Sequence, residues 1–486
     1  MKSSRLLSLL SGTDSFDTFK WIGLITGPLL FLLILWVAHP GSMTPASVKV
    51  MAITVWIAIW WVTEAVPLPV TSLLPIILFP LLKVMKLEDT TRDYGHPLIF
   101  LYIGGFLLAF AIEKTGLHAR IAITIIRAMG TRLHMIVLGF MLSTGFLSMW
   151  ISNTATALMM LPIGLAIVAT IAGDQQEHFS NFRKSLMLAI AYASSIGGVA
   201  TLIGTPPNLV FAGVVKDMFH RDFTFSEWFV YGFPLAVILL FFAWWYITRF
   251  AFPMKGMNIT EAKEDKALSV SKLGKMSGRE KAVAIVFGIM AFSWITRSFF
   301  LEKLIPGLDD TIIGLTGGLS LFLIPEKAKS LKGILNWDDA GKLPWGIILL
   351  FGGGLALADA FESSGLSTWI GERLSGFTVL GIFLVILLVV AIVNFLTEFT
   401  SNLATVTMIL PVLAPVALSP GIEPITLMMA ATMAASCGFM MPAGTPPNAI
   451  AFGTGHLKIM DMIKTGFVLN VVSIILITLM MYFLKM

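Results

Sequence analysis

Long runs of apolar residues without a single charge dominate the chain, and each predicts a helix in a nonpolar environment. These runs are 21–38, 51–63, 65–82, 97–112, 135–173, 185–215, 228–248, 282–296, 311–325, 343–358, 374–397, 399–422, 424–457 and 465–484. A helix that spans a bilayer needs about 20 apolar residues. Most of the runs are compatible with that length, so the pattern predicts an all-α polytopic membrane protein.

Four stretches do not match a single span. The run 135–173 is too long for one helix, and the two runs on either side of Glu398 are almost continuous. The runs 185–215 and 424–457 each contain a Gly-Thr-Pro-Pro-Asn sequence, in which the two prolines remove backbone donors and interrupt a helix. We therefore predict two re-entrant hairpins, at about 135–173 and about 377–418, and two broken helices.

The chain also repeats itself, since the same motifs recur in the same order. All but the last recur after 249 positions, and the last recurs after 240. The pairs are Gly104-Gly105 with Gly353-Gly354, Glu113 with Glu362, Gly116-Leu117 with Gly365-Leu366, Ser152-Asn153-Thr154-Ala155-Thr156 with Ser401-Asn402-Leu403-Ala404-Thr405, Leu161-Pro162 with Leu410-Pro411, and Gly204-Thr205-Pro206-Pro207-Asn208 with Gly444 to Asn448.

The distribution of basic residues predicts how the two copies are oriented in the membrane. Segment 249–281 holds eight Lys or Arg, which predicts a cytoplasmic linker, and Lys2, Arg5 and Lys20 place the N-terminus on the same side. Five spans separate the two Ser-Asn motifs, and an odd number makes the repeats inverted, as in secondary transporters. The predicted organisation is an N-terminal segment with the first helix (1–45), a first repeat (46–250), the linker (251–280) and a second repeat (281–486).

Composition excludes several classes of protein. Charged residues are 13% of the chain, against about 25% in soluble domains. The basic residues lie in short loops, so the net charge of +5 does not indicate nucleic-acid binding. The single Cys437 cannot form an internal disulfide, and no cleavable signal is expected before the first run. The location predicted is a cell membrane, crossed many times.

The four helix interruptions are expected to meet within the membrane, where their polar groups would bind an anion and a small cation. Helix N-termini attract anions, and the amides and hydroxyls of the repeated motifs add neutral donors. The donors are Asn153, Asn402, Thr154, Thr205 and Thr445. Unwound carbonyls and the hydroxyls of Ser148, Ser152, Thr397 and Ser401 are hard oxygens that suit sodium. For Glu398, whose repeat counterpart is Met149, a structural or tuning role is favoured over a proton or cation site.

Other classes find little support. No nucleophile with a base in reach, metal-binding His pair or nucleotide-binding glycine pattern lies near the hairpins, so an enzyme is not expected. A channel is conceivable, but helices broken from both faces suit alternating access better than a continuous pore.

These motifs resemble the divalent anion/sodium symporter family, the sodium-coupled dicarboxylate and citrate carriers. The resemblance covers nearly the whole chain, and its most specific blocks are Gly145 to Thr154 and Leu343-Pro344-Trp345-Gly346 followed by Phe351 to Ala358. It implies eleven transmembrane helices with two re-entrant hairpins, a homodimer in lipid, and an elevator mechanism in which a transport domain moves against a scaffold.

The resemblance also implies site residues. The first sodium ion would bind Ser148, Ser152, Asn153 and a carbonyl near Gly204, and the second Thr397, Ser401, Asn402 and carbonyls near Thr400 and Gly444. The substrate carboxylates would contact Asn153, Thr154, Asn402, Thr445 and Pro446. One position departs from the motif, because Leu403 has no hydroxyl where Thr154 has one.

The function predicted is sodium-driven symport of C4 dicarboxylates such as succinate, malate and fumarate, with Na⁺ as co-transported ion at two or more sites. A dicarboxylate/2-oxoglutarate exchanger without net cation coupling, a citrate carrier and a sulfate carrier of the same fold stay open as alternatives.

Overall fold

A computed structural model describes residues 15–37, 43–173, 177–254, 257, 274–326, 332–374, 381–416 and 423–483. The regular secondary structure of these residues is helical, apart from one isolated bridge between Pro325 and Gly333. The helices are α1 Ser15–Val37, α2 Pro45–Thr63, α3 Leu68–Thr71, α4 Leu74–Leu81, α5 Leu87–Arg92, α6 Pro97–Thr115, α7 Leu117–Met129, α8 Leu133–Ser148, α9 Asn153–Ala172, α10 Ser180–Val199, α11 Pro206–Phe219, α12 Phe225–Tyr246, α13 Gly278–Thr296, α14 Glu302–Leu304, α15 Asp310–Leu323, α16 Trp337–Ala340, α17 Trp345–Ser363, α18 Leu366–Leu374, α19 Ile382–Leu396, α20 Asn402–Val416, α21 Pro424–Ala435, α22 Pro446–Gly453 and α23 Ile459–Phe483.

The outer helices present apolar side chains to their surroundings. Eight helical segments of the described chain are long and apolar enough to cross a membrane. Helix α1 is the clearest case, since Trp21, Leu29 and Trp36 are all more than half exposed. Such a surface is stable when lipid rather than water covers it.

The two most enclosed helices are α10 and α21. Every residue from Ser185 to Val199 of α10 and from Ile425 to Ala435 of α21 is buried. Small residues, which are Ala, Ser and Gly in α10 and Ala and Thr in α21, let neighbouring backbones approach these helices closely. Each is the first part of a stretch predicted to be broken, so the two interrupted segments lie at the centre of the protein.

The four unusual stretches are interrupted at their motifs. Helices α8 and α9 are separated by residues 149–152, and α19 and α20 by residues 397–401. Likewise α10 ends before α11, and α21 before α22, with a Gly-Thr sequence in each gap. All four downstream helices therefore begin at a repeated motif.

The apolar run 65–82 is not one continuous helix, although its composition allowed a span. It forms α3 and α4, separated by Ser72 and Leu73. Pro69 and Pro75 each occupy the first turn of one of these helices, where a missing donor is tolerated.

Close backbone contact joins the two repeats at α6 and α15. A Cβ atom added at Gly104 of α6 would lie 2.4 Å from the carbonyl carbon of Gly314 in α15. Gly318 of α15 faces the same point, because its added Cβ would lie 3.3 Å from the Gly104 Cα. Glycine is therefore required here for the helices to pack at this distance.

We expect Gly104→Ala to destabilise the protein by about 1–3 kcal/mol, because backbone atoms cannot move aside as a flexible side chain can. Thermal unfolding in detergent measures the effect. Gly288→Ala in α13 is the matched control, since nothing lies within 4 Å of its added Cβ. Equal melting temperatures for the two variants would contradict the assigned packing.

Candidate functional site

The first hairpin turn is built on one hydroxyl group. Ser148 ends α8, and its Oγ lies 2.8 Å from Asn153 Oδ1 and 2.6 Å from the carbonyl oxygen of Ser194 in α10. Ser152 caps α9, because its Oγ accepts a hydrogen bond from the Ala155 amide at 3.3 Å. Thr201 donates to the Met149 carbonyl at 2.5 Å. These contacts fix the turn against α10 and the segment that follows it.

The second turn reproduces the contacts of the central hydroxyl. Thr397 Oγ1 lies 2.7 Å from Asn402 Oδ1 and 2.8 Å from the carbonyl oxygen of Ala435 in α21. Both hydroxyls are fully buried. A hydroxyl has one proton and can donate to only one of its two acceptors. Each turn thus gathers three oxygens around one proton, an arrangement that suits a small cation.

The two broken helices are also braced alike. The Asn208 side-chain amide donates to the carbonyls of Gly198 and Thr201, at 3.0 and 2.8 Å. Its counterpart Asn448 donates to the carbonyls of Gly438 and Met441, at 3.3 and 3.0 Å. Each asparagine thereby satisfies carbonyls that the helix break has exposed, as required in a nonpolar interior.

Glycine is needed where the first turn meets α10. A Cβ at Gly198 would lie 2.3 Å from Asn153 Oδ1, and a Cβ at Gly204 would lie 2.5 Å from the Gly198 carbonyl oxygen. The Gly198 carbonyl belongs to the backbone, and Asn153 Oδ1 is held by its hydrogen bond from Ser148. The bare backbone at Gly198 therefore lets the Asn153 amide reach Ser148.

Both turns and both Gly-Thr-Pro-Pro segments line one cavity of about 830 Å³. The predicted residues on its wall are Ser152, Asn153, Thr154, Thr205, Thr400, Ser401, Asn402, Gly444, Thr445 and Pro446. Three predicted sodium-site residues do not line it: Ser148 and Thr397 are buried behind the turns, and Gly204 is buried beside them.

The cavity receives the N-termini of four helices, since the first residues of α9, α11, α20 and α22 all line it. Each contributes roughly half a positive charge. The backbone amides of Asn153, Thr154, Asn402 and Leu403 make no hydrogen bond within the described residues. Leu403 thus lacks the hydroxyl of Thr154 but keeps an amide available. No Lys or Arg lies among the lining residues of the described chain.

The family of the chain is set by a match along nearly its whole length. The model of the sodium:sulfate symporter transmembrane region matches residues 18–486. The chain belongs to this family. Together with the eight apolar helices, membership indicates a multi-pass membrane protein of the cell.

Individual relatives agree with this membership. The chain is 44% identical over 495 residues to a protein of Staphylococcus saprophyticus named sodium-dependent dicarboxylate transporter SdcS, covering 100% of this chain and 95% of the relative. The protein of the same name in Staphylococcus aureus strain MRSA252 is 44% identical over 496 residues, with the same coverage.

Two solved structures share the fold at low sequence identity. MtrF of Neisseria gonorrhoeae has a TM-score of 0.59 and 12% identity, covering 93% of this chain and 96% of that one. The YdaH transporter of Alcanivorax borkumensis has a TM-score of 0.56 and 13% identity, and the match covers 80% of this chain and 86% of that one. At these identities the likeness concerns architecture alone.

Glu398 breaks the symmetry of this symporter fold. Its carboxylate is 1% exposed and accepts hydrogen bonds from the amides of Phe439, Met440 and Met441 and from the Asn470 side chain, at 2.7–2.9 Å. It thus holds the unwound segment between α21 and α22 and ties it to α23. This geometry agrees with the favoured structural or tuning role.

Sequence reasoning missed several cavity residues. Tyr102 and Phe106 of α6, Leu350 of α17 and Glu64 after α2 all line the cavity. None of them belongs to a repeated motif of the kind that identified the turns. The spacing of Tyr102 and Phe106 is a weak signal, because side chains four apart share one helix face.

We expect Glu398→Gln to destabilise the protein by about 3 kcal/mol or more. An amide group offers one acceptor oxygen, so some of the four donors would lose their partner in a buried site. Thermal unfolding in detergent measures the loss, and Glu88→Gln, which changes an exposed acid in α5, is the control. A Glu398→Gln protein as stable as the control would show that these contacts contribute little.

Proposed function

We propose that the protein is a secondary transporter that brings C4 dicarboxylates into the cell together with sodium ions. The observation that carries the proposal is the cavity in which two turns, related by the repeat, place neutral donors beside four helix N-termini. The names of the 44%-identical relatives support the choice of sodium and dicarboxylate.

In this proposal some of the predicted residues bind the substrate anion and others bind sodium ions. The substrate carboxylates would be bound by Asn153, Thr154, Asn402, Thr445 and Pro446, which line the cavity. Without a basic side chain on the wall, the anion depends on partial charges and on bound sodium. This dependence couples the two solutes, because the anion is held weakly until the cations are present.

Two sodium sites are proposed at the turns. The first comprises Ser148, Ser152, Asn153 and a carbonyl near Gly204. The second comprises Thr397, Ser401, Asn402 and carbonyls near Thr400 and Gly444. Support comes from the oxygen clusters around Ser148 and Thr397. The described residues contain no group of three or more His, Cys, Asp or Glu side chains that could hold a metal ion. The ligands proposed here are hydroxyl, amide and carbonyl oxygens.

We further propose an elevator mechanism in a homodimer, with the repeats inverted across the membrane and the N-terminus and linker in the cytoplasm. The two hairpins and the two broken helices would move as one unit. The hydrogen bonds that join each turn to α10 or α21 support a common body.

Uptake into proteoliposomes tests the function. We expect accumulation of succinate, malate and fumarate only with an inward sodium gradient, and weak competition by sulfate. Equal uptake into empty vesicles without sodium would reject sodium coupling. Uptake that requires dicarboxylate inside would favour an exchanger, and stronger competition by sulfate would favour a sulfate carrier.

We expect Asn153→Ala and Asn402→Ala each to reduce initial uptake by about 100-fold. Each removes a side chain that meets a charged solute, and a hydrogen bond to a charged group contributes about 1.5–3 kcal/mol. Thr296→Ala, which changes a partly exposed hydroxyl of α13 that bonds to the Phe292 carbonyl, should transport normally. Normal uptake by either asparagine variant would remove that residue from the site.

We expect Ser148→Ala and Thr397→Val to raise the half-saturating sodium concentration about tenfold, which corresponds to about 1.4 kcal/mol. Sodium titration of succinate uptake measures it. Ser143→Ala is the matched control, because that buried hydroxyl of α8 bonds to the Gly139 and Ala122 carbonyls, outside the turn. An unchanged sodium requirement would exclude these hydroxyls as ligands.

A further inference from the structure

One charged residue lines the cavity within the described chain, and it is an acid. Glu64 is exposed and lies on the wall with Thr63 and Leu68, at the junction of α2 and α3. Helix α2 contacts α20, which begins at the second turn. A carboxylate therefore shares the space of a site whose other features favour anions.

The local structure gives no reason for an acid at this position. Glu64 caps the C-terminus of α2 with φ 48° and ψ 34°, in the left-handed region that favours Gly or Asn. The C-terminus of a helix is also its negative end, where a carboxylate is unfavourable. Backbone conformation and helix dipole both oppose glutamate here, so its presence points to a role in the cavity.

The charges in the cavity indicate that role. A dicarboxylate with two sodium ions is neutral, so the loaded turns need no further negative charge. Glu64 adds a negative charge to this cavity, whose largely apolar walls focus the field of that charge. It attracts sodium ions toward the turns and repels each anion in proportion to its charge.

We propose that Glu64 is a specificity-determining residue that selects dianions over trianions and raises the affinity for sodium. This inference rests on the proposed function. Two unit charges near each other in a water-filled site interact by about 1 kcal/mol, so each additional anionic charge weakens binding by about three- to fivefold. Removal of the charge should therefore change anion and sodium affinity in opposite directions.

The test is equilibrium binding to purified protein in detergent at about pH 8, where carboxyl groups are ionised. Labelled succinate is displaced by unlabelled succinate or by propane-1,2,3-tricarboxylate, and binding is titrated with sodium. For Glu64→Gln we expect the affinity for the tricarboxylate to rise by about three- to fivefold relative to the affinity for succinate. The half-saturating sodium concentration should rise by about the same factor.

Two variants control for structure. Glu64→Asp keeps the charge and should retain the wild-type ratio, whereas Glu64→Asn removes the charge with a residue that tolerates the left-handed conformation. Asn replaces Gln as the test if Glu64→Gln unfolds. If Glu64 had a purely structural role, its substitution would weaken the binding of sodium and of both anions by similar factors. That result would overturn the proposal.

The remaining outcomes are also decisive. An unchanged sodium titration and an unchanged anion ratio would exclude a role of the Glu64 charge. Failure of both wild type and Glu64→Gln to bind the tricarboxylate would show that size, not charge, excludes it. If the wild type binds no succinate with sodium present, the proposed function itself fails, a result separate from any effect at Glu64.

Discussion

A polypeptide that interrupts its helices inside a nonpolar slab must satisfy the polar groups that each interruption exposes. In this protein one hydroxyl and one asparagine at each turn meet that demand, with a carbonyl from a neighbouring buried helix. The groups that make the turns stable are also the groups proposed to bind sodium. Stability of the turns and ion binding are therefore not separable, and substitutions at Ser148 or Thr397 affect both.

The electrostatics of the cavity follow from the same architecture. Four helix N-termini give the cavity a diffuse positive potential, and no Lys or Arg among its described lining residues adds a full positive charge. A lysine in their place would hold an anion whether or not sodium was present. In the proposed site, partial charges would bind the anion weakly and bound sodium ions would complete the site. Coupling of the two solutes would then depend on the absence of a basic side chain as much as on the groups present.

Much of this site was predictable because the chain contains two copies of it. Ser148 and Thr397 are different residues, and only the repeat shift shows that both supply one hydroxyl at the same place. Tyr102 and Glu64 were not predicted as cavity residues, because packing between distant segments brings them there. The partners of Glu398 were hidden for another reason, since three of them are backbone amides that any sequence would supply.

The asymmetry at Glu398 bears on how the two halves diverged. Met149 occupies the corresponding place in the first copy and has no carboxylate to gather backbone amides. A hypothetical ancestor made of two identical halves would have had the acid at both of these positions or at neither. Because only the second copy has the acid, the two halves are no longer interchangeable, and its unwound segment depends on a carboxylate that the first does without.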